Sequence, residues 1–464
     1  MLLCSHDKMR LTMYAEKITE LLTSKGIAIG DRVSLSKGDM RVEGIVMPQT
    51  ALGDPAKLVL KLDSGYNAGF DIEGTVLEKS THTEPKAVKE EEEYELGKVK
   101  KSLLTLEFDT SKPPISIIAT GGTIASRVNY LTGGVSALED PREFLHNVPE
   151  LASFVNVRKL VSLKPKMTED MAWKDWEAIA QHVCTELNAE NKGVIVTLGT
   201  DTLHYAAAAV SFFLNAHKPV VFVGAQRSSD RGSSDAGMNL ICAAHAALSD
   251  IGEVGACMHG SMEDSYCLFI RGTKVRKLHT SRRDAFRPVN DLPLATIFPS
   301  GKIDIMNPVH KKRKEGTAEL DAQYNPNVAL IKIFPGSDPG VLDYYREKGI
   351  RGFVIEGTGL GHVPTMAERS WIEPVKRMVK DGIPVVVTSQ TIYGRVNPDV
   401  YVNLRILFHE AKAIPGEDML SEVAYIKLGW VLGHTQDMEE VRKQMLTNRA
   451  GEITERSLPE TFLY

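Results

Sequence analysis

The stretch Ile115–Ser126, ISIIATGGTIAS, decides how this chain is read. Its first residues, Ile115–Ile118, form a mostly β-branched run that leads straight into Thr-Gly-Gly-Thr. That is the pattern of a buried strand ending in a turn that only small residues can make. Two glycines let the backbone turn sharply and approach a ligand closely. Two threonine hydroxyls then stand at the mouth of the strand. In open α/β sheets, ligands collect outside the carboxyl ends of the strands. Taken alone, the turn fits tight packing equally well, so the flanking sequence has to decide.

Working outward, the strand–loop–helix pattern repeats. GVIVTLG (193–199), PVVFVGA (219–225) and EVGACMHG (253–260) read as buried strands, with helical stretches such as Glu169–Leu187 and Thr202–Asn215 between them. This alternation implies a mainly parallel sheet with helices on both faces. Residues 271–327 interrupt it with two basic runs, RGTKVRKLHTSRRDAFRP and KKRKEG. Around Asn325–Pro326 a second α/β unit begins. NVALIKIFPG (327–336), GFVIEGTGLG (352–361) and PVVVTSQ (384–390) again end strands in Gly, Ser or Thr. Met419–Leu446 reads as helical with a break at Gly433.

The sequence before Ile115 has another texture. Residues 13–24 have the spacing of a short helix. Short alternating runs follow, broken by Gly, Asp and Pro, and mark a small SH3-like β-barrel. It carries no nucleophile, base and orienter set, so its role is docking or structural support. The charged segment 78–101, with four consecutive glutamates, reads as a solvated linker. The expected domains are therefore 1–77, a linker at 78–112, a larger α/β domain at 113–326 and a smaller one at 327–464.

Composition narrows the class. The 464 residues are 43% hydrophobic and 25% charged, as in an ordinary soluble protein of several domains. A net charge of −5 argues against a whole-surface nucleic-acid binder. The five cysteines form no CxxC pair, which excludes a zinc-ribbon pattern and a disulfide framework and suits a reducing cytoplasm. No apolar run nears the ~20 residues that span a bilayer, and the start lacks the layout of a signal peptide.

A second hydroxyl-rich strand end is TLGTDTLHYAAAA (197–209), where Thr200 and Asp201 precede a helix. They stand either as its N-cap or as reactive groups at its positive end. A third piece is the basic loop TKVRKLHTSRRDAF, in which spacing does not choose among Lys274, Arg276 and Lys277.

ATGGTIAS and LGTDTLHYAA closely resemble the two signature segments of the L-asparaginase type of the asparaginase/glutaminase family. VGAQRSSDRGSSDAGMNL (223–240), the 271–286 loop and SQTIYGRVNPDVY (389–401) resemble it too, so the likeness covers roughly residues 113–464. It implies an α/β fold: an asparaginase-like two-domain body with mainly parallel sheets, carrying the small N-terminal SH3-like β-barrel. It places the nucleophile at Thr123, a Thr-Lys-Asp group at Thr200, Lys277 and Asp201, and the family's mobile-loop tyrosine at Tyr130. A threonine hydroxyl needs a base to become a nucleophile, and a lysine serves when burial and nearby cations favour its neutral form. Small loop residues beside Thr123 and Thr200 suit an oxyanion hole, one donor of which is worth roughly 3 kcal/mol elsewhere. The implied reaction is metal-free hydrolysis of a side-chain amide through an acyl-enzyme, releasing ammonia.

Two departures from that family pattern stand out. The family has a substrate-carboxylate serine three residues before a methionine; the matching position before Met167 is Lys164, with Ser162 nearby. Plain asparaginases also lack residues 1–112. A β module joined to an asparaginase-like body resembles the D-subunit family of the archaeal glutamyl-tRNA(Gln) amidotransferases. That resemblance implies a homodimer that hydrolyses glutamine for an E-type partner subunit, a kinase and transamidase that makes most of the contact with tRNA(Gln). This chain has no GxxxxGK[ST] loop, so it is expected to carry no cofactor, with ATP and Mg on the partner. The β module and the basic stretches 271–287 and 311–314 become candidates for touching the partner or phosphate. The alternative is a free-standing cytosolic L-asparaginase with an accessory domain.

Overall fold

The computed structural model describes residues 14–38, 40–47, 54, 56–62, 67–80, 108–121, 126–128, 135–137, 148–227 and 233–464. They fall into two compact units.

The first unit takes the described residues within Met1–Glu107, Ser126–Leu138 and Arg227–Ser234. Helix α1 (Glu16–Ser24) precedes five strands: β1 (Arg32–Lys37), β2 (Met40–Val46), β3 (Lys57–Leu62), β4 (Asn67–Asp71) and β5 (Val76–Lys79). They pair antiparallel in the order β4-β3-β2-β1-β5, the meander with a returning last strand expected of an SH3-like module. Every second side chain of β1 and β3 points inward: Val33, Leu35, Leu58 and Leu60 are fully buried and meet Ile18 and Leu22 of α1. The Tyr14 hydroxyl ties the helix to the sheet, donating to the Met47 carbonyl and accepting from Val59 N at 3.2 Å. A short antiparallel pair, Ser126–Val128 with Val135–Ala137, belongs to the same unit.

The second unit takes those within Phe108–Ala125, Glu139–Gln226 and Asp235–Tyr464. Its larger sheet contains β6 (Pro114–Ala119), β7 (Asn156–Ser162), β8 (Gly193–Thr197), β9 (Val220–Val223) and β10 (Val254–His259). These are parallel neighbours in the order β7-β6-β8-β9-β10. Helices α2 (Trp173–Leu187), α3 (Leu203–Phe213) and α4 (Ala236–Leu248) follow the strands. β8, β9 and β10 are buried at every position, which is why they read as continuous apolar runs rather than alternating ones. Beyond β10 the sheet turns antiparallel, through β11 (Cys267–Arg271) to two short outer strands. A separate hairpin joins β12 (Val275–Lys277) to β13 (Phe286–Pro288).

The smaller sheet is wholly parallel: β14 (Val328–Lys332), β15 (Gly352–Gly357), β16 (Val385–Ser389) and β17 (Ile414–Pro415), in that order. Helices α5 (Gly340–Glu347) and α6 (Ile372–Lys380) contribute to its core, which holds Leu342, Phe353, Ile355, Trp371, Val375 and Val385. The C-terminal helical stretch is two helices, α7 (Ser421–His434) and α8 (Met438–Leu446), and Gly433 lies inside the first rather than between them. A Cβ at Gly433 would sit 2.4 Å from the Gln323 carbonyl oxygen, so this glycine marks a close approach and not a break.

Candidate active site

The carboxyl ends of β6, β8 and β9 lie level, with Ala119 opposite Thr197 and Thr197 opposite Val223. The loops that leave them therefore emerge side by side. Gly121, in the turn after β6, has φ +97°, a conformation glycine adopts without strain. The Thr120 hydroxyl is occupied, donating to the Thr197 carbonyl at 3.0 Å. Thr123 and Tyr130 lie outside the described residues.

After β8 come Thr200 and Asp201. Helix α3 starts at Leu203 with Thr202 as its N-cap residue, and no side chain caps it. The Thr202 hydroxyl instead donates to the Thr168 carbonyl at 2.8 Å. Thr200 and Asp201 thus have no capping duty. Both meet Lys277, whose Nζ donates to Thr200 Oγ1 at 2.9 Å and to Asp201 Oδ1 at 2.7 Å. The Lys277 side chain is 9% exposed and that of Asp201 66%.

The three cations that spacing could not separate have distinct fates. Lys274 is fully buried against Asp418, at 2.8 Å. Arg276 pairs with Glu422 at 2.9 Å. Of the three, Lys277 is the one that reaches the hydroxyl and carboxylate at the strand ends. Thr200, Asp201 and Lys277 share a cavity of about 150 Å³ with Gln226, Thr168 and Glu169. The loop carrying Gln226 is tightly held. Gln226 N donates to Asp235 Oδ2, and Asn239 Nδ2 donates to Asp235 Oδ2 and to the Gly224 carbonyl, each at 3.0 Å. A Cβ on Gly224 would sit 2.7 Å from the Leu198 carbonyl oxygen and 2.8 Å from Thr200 Cγ2, so glycine is what lets this loop press onto Thr200.

Lys164 is exposed and is not among the residues that line this cavity. Thr168, which is 4% exposed, is one of the residues that line it. Thr168 stands three residues before Met171, the spacing sought before Met167. Two methionines four residues apart offer two registers, and the second puts a cavity-lining hydroxyl at that spacing.

The 271–287 stretch is heavily paired within the chain. Arg271 pairs with Glu253 and Asp291, Arg283 with Asp264, and Arg282 and Arg287 with Asp284. With Lys274, Arg276 and Lys277 also paired, each of these cations has a carboxylate partner within the chain, and the Arg282 side chain is 50% exposed. In 311–314, Lys311, Lys312 and Lys314 are exposed, and Arg313 is half-buried with its guanidinium donating to the Ala247 carbonyl at 2.9 Å.

Beside the site, His204 is held far toward its neutral form, with its pKa lowered to about 3, chiefly by burial and further by Arg276 and Lys277. Between that value and an unfolded value near 6.5, the unfolded chain binds the extra proton. This contribution to stability is therefore present above about pH 6.5 and lost as pH falls toward 3. His204→Gln should flatten the acid side of the urea-midpoint profile relative to wild type. The difference is on the order of 1 kcal/mol per pH unit. Parallel profiles would contradict it.

Among the described residues, no group of three or more His, Cys, Asp and Glu side chains converges as a metal site. No helix among them is long and apolar enough to cross a membrane.

Comparison with known proteins agrees with this geometry. The family model "Asparaginase, N-terminal" matches residues 114–310, and "Glutaminase/Asparaginase C-terminal domain" matches 327–445. The model "GatD N-terminal domain" matches 27–79. The D subunit of the Pyrococcus furiosus glutamyl-tRNA(Gln) amidotransferase is 47% identical over 96% of this chain and 100% of its own length. That of Methanopyrus kandleri is 44% identical over 96% of this chain and 95% of its own. The chain belongs to the D-subunit family of the glutamyl-tRNA(Gln) amidotransferases. Of the D-subunit pattern, the antiparallel module carries the N-terminal part and the two sheets of the second unit carry the asparaginase-type amidohydrolase fold. That fold is shared with the thermostable L-asparaginase from Thermococcus kodakarensis, which is 31% identical with a TM-score of 0.65. The match takes in 74% of this D-subunit family member and 99% of the asparaginase.

Proposed function

We propose that this chain hydrolyses glutamine and supplies the ammonia with which a partner subunit converts Glu-tRNA(Gln) to Gln-tRNA(Gln). The observation that carries the reading is the contact of Lys277 Nζ with both Thr200 Oγ1 and Asp201 Oδ1 at the mouth of the parallel sheet. As an ammonium, Lys277 donates to both. As an amine it accepts a proton from a hydroxyl, and Asp201 stabilises the cation that forms. Thr123, assigned by family resemblance, is the nucleophile that forms the acyl-enzyme, and Tyr130 closes over the substrate. Thr168 takes the role of carboxylate-binding hydroxyl that the first methionine register gave to Lys164. ATP, Mg and most of the tRNA contact belong to the E-type partner, and the active chain is a homodimer.

The test is ammonia release by the purified chain from glutamine and from asparagine, alone and with the partner subunit and tRNA. Weak activity alone that rises on addition of partner and tRNA is the expected result. Strong unassisted asparagine hydrolysis, unchanged by the partner, would instead make the chain an independent asparaginase.

A further inference from the structure

The Lys277–Asp201 pair has a second, buried brace beside it. Arg276 immediately precedes Lys277 on β12, and its Nη1 donates to Glu422 Oε2 at 2.9 Å. Glu422 lies in the first turn of α7, 146 residues further along the chain. Its other oxygen, Oε1, is 3.7 Å from His204 Nε2. His204 stands in the first turn of α3, three residues beyond Asp201. One carboxylate from the C-terminal part therefore binds the strand that presents Lys277 and faces the helix that follows Asp201. The Glu422 side chain is 3% exposed.

Glu422 Oε1 and His204 Nδ1 are both buried without a hydrogen-bond partner among the described residues. An apolar side chain of similar volume at 422 would fill the space and remove the orphaned Oε1, leaving His204 Nδ1 as it is. What an apolar residue would not supply is negative charge next to the Arg276 guanidinium. The other charged and titratable groups here are Lys277 and Asp201 themselves, His204, Tyr205, Glu356 and Tyr425. Burial lowers His204 to about 3 and raises Tyr205 to about 12, so both stay neutral near pH 7. Burial also pushes the Glu422 carboxyl up, and the Arg276 charge opposes that. The guanidinium of Arg276, next to Lys277 on β12, is thus paired directly with the Glu422 carboxylate, and Glu356 is the other acid that acts on that carboxylate.

We propose that Glu422 is a positioning residue for Lys277: it fixes β12 through Arg276 and cancels the guanidinium charge that would otherwise act on the neighbouring amine. This rests on the reading of Lys277 as the proton acceptor in amide hydrolysis. The consequence has a definite sign. Without the carboxylate, the uncompensated guanidinium favours the uncharged amine, so activity persists to lower pH.

The experiment measures kcat and KM for ammonia release from glutamine across roughly pH 5–9, using the full chain with its partner subunit. E422Q keeps shape and hydrogen bonding but removes the charge. Its acid limb of kcat is expected to move down by on the order of 0.5–1 pH unit, with KM little changed. E422D retains the charge and should keep the wild-type limb. The double variant R276Q/E422Q removes both charges and should return the limb toward wild type. An unmoved limb in E422Q overturns the proposal. So does an equal, pH-independent loss in E422Q and E422D, which is what packing alone predicts. A wild-type chain that releases no ammonia overturns both this inference and the proposed function; an active chain with an unmoved limb overturns this inference alone.

Discussion

Lys277→Met leaves the chain folded and lowers ammonia release from glutamine by about 10²–10⁴-fold, the range a positioned proton acceptor contributes. The substitution keeps an unbranched side chain of similar length in a site where the lysine is nearly buried. What it removes are the two short contacts that order Thr200 and Asp201. Thr200 then keeps only a 3.5 Å contact to Gln226 Oε1, at the outer limit for a hydrogen bond. In the proposed role the lysine acts on a proton in flight, so the loss should fall on kcat more than on KM. The Lys277–Asp201 pair is open to water on the carboxylate side, so its Coulomb energy contributes little to stability. The melting temperature should therefore move by no more than a few degrees. Ammonia release and a thermal melt on one preparation separate the two effects. A variant retaining more than about half of wild-type activity would remove Lys277 from the mechanism.

Much of this site is legible in the sequence, and the limits are physical. Buried parallel strands announce themselves as short apolar runs, so ISII, GVIVT and VVFV fall where the sheet has them. Thr200 and Asp201 can be placed at a strand end, but not distinguished from a helix cap. That depends on Thr202 turning to Thr168 and on Lys277 arriving from 76 residues away. The choice among Lys274, Arg276 and Lys277 is equally invisible, because it is made by acids at 418, 422 and 201 that no local spacing connects. The same blindness hides how much of the charge of residues 271–287 is met within the chain. A run of cations reads as open charge until the folded chain delivers its carboxylates. Lys164 is a different case. The motif is a residue at fixed distance from a methionine, and the sequence supplies two methionines. The signal for Thr168 lies in Thr-Glu-Asp-Met, residues 168–171.

Asp418→Ala should lower the stability of the second unit by about 3–5 kcal/mol, the cost of stripping one partner from a buried ion pair. Asp418 is the hub of a fully enclosed contact between the hairpin that carries Lys277 and the segment that leads into α7. Its carboxylate accepts from Lys274 Nζ at 2.8 Å and from Thr454 N at 3.0 Å, and also from the Thr454 hydroxyl. Its backbone carbonyl takes Asn290 Nδ2 at 3.1 Å. Lys274 and Asp418 are both 0% exposed. With the carboxylate gone, the Lys274 ammonium is left in a site where burial already lowers its pKa and Asp418 is what opposes the lowering. The chain then either keeps an unpaired buried charge or gives up the proton, and both are unfavourable. Urea unfolding should show the midpoint fall in Asp418→Ala. It should recover most of the way in a Lys274→Met, Asp418→Leu double variant, because an apolar pair of similar volume needs no counter-charge. Recovery of stability need not bring recovery of activity, since the Thr454 contacts and the exact path of residues 272–277 depend on the carboxylate. If Asp418→Ala alone unfolds at the wild-type midpoint, the two α/β halves of the unit are held by their apolar contacts, and the ion pair serves the hairpin only.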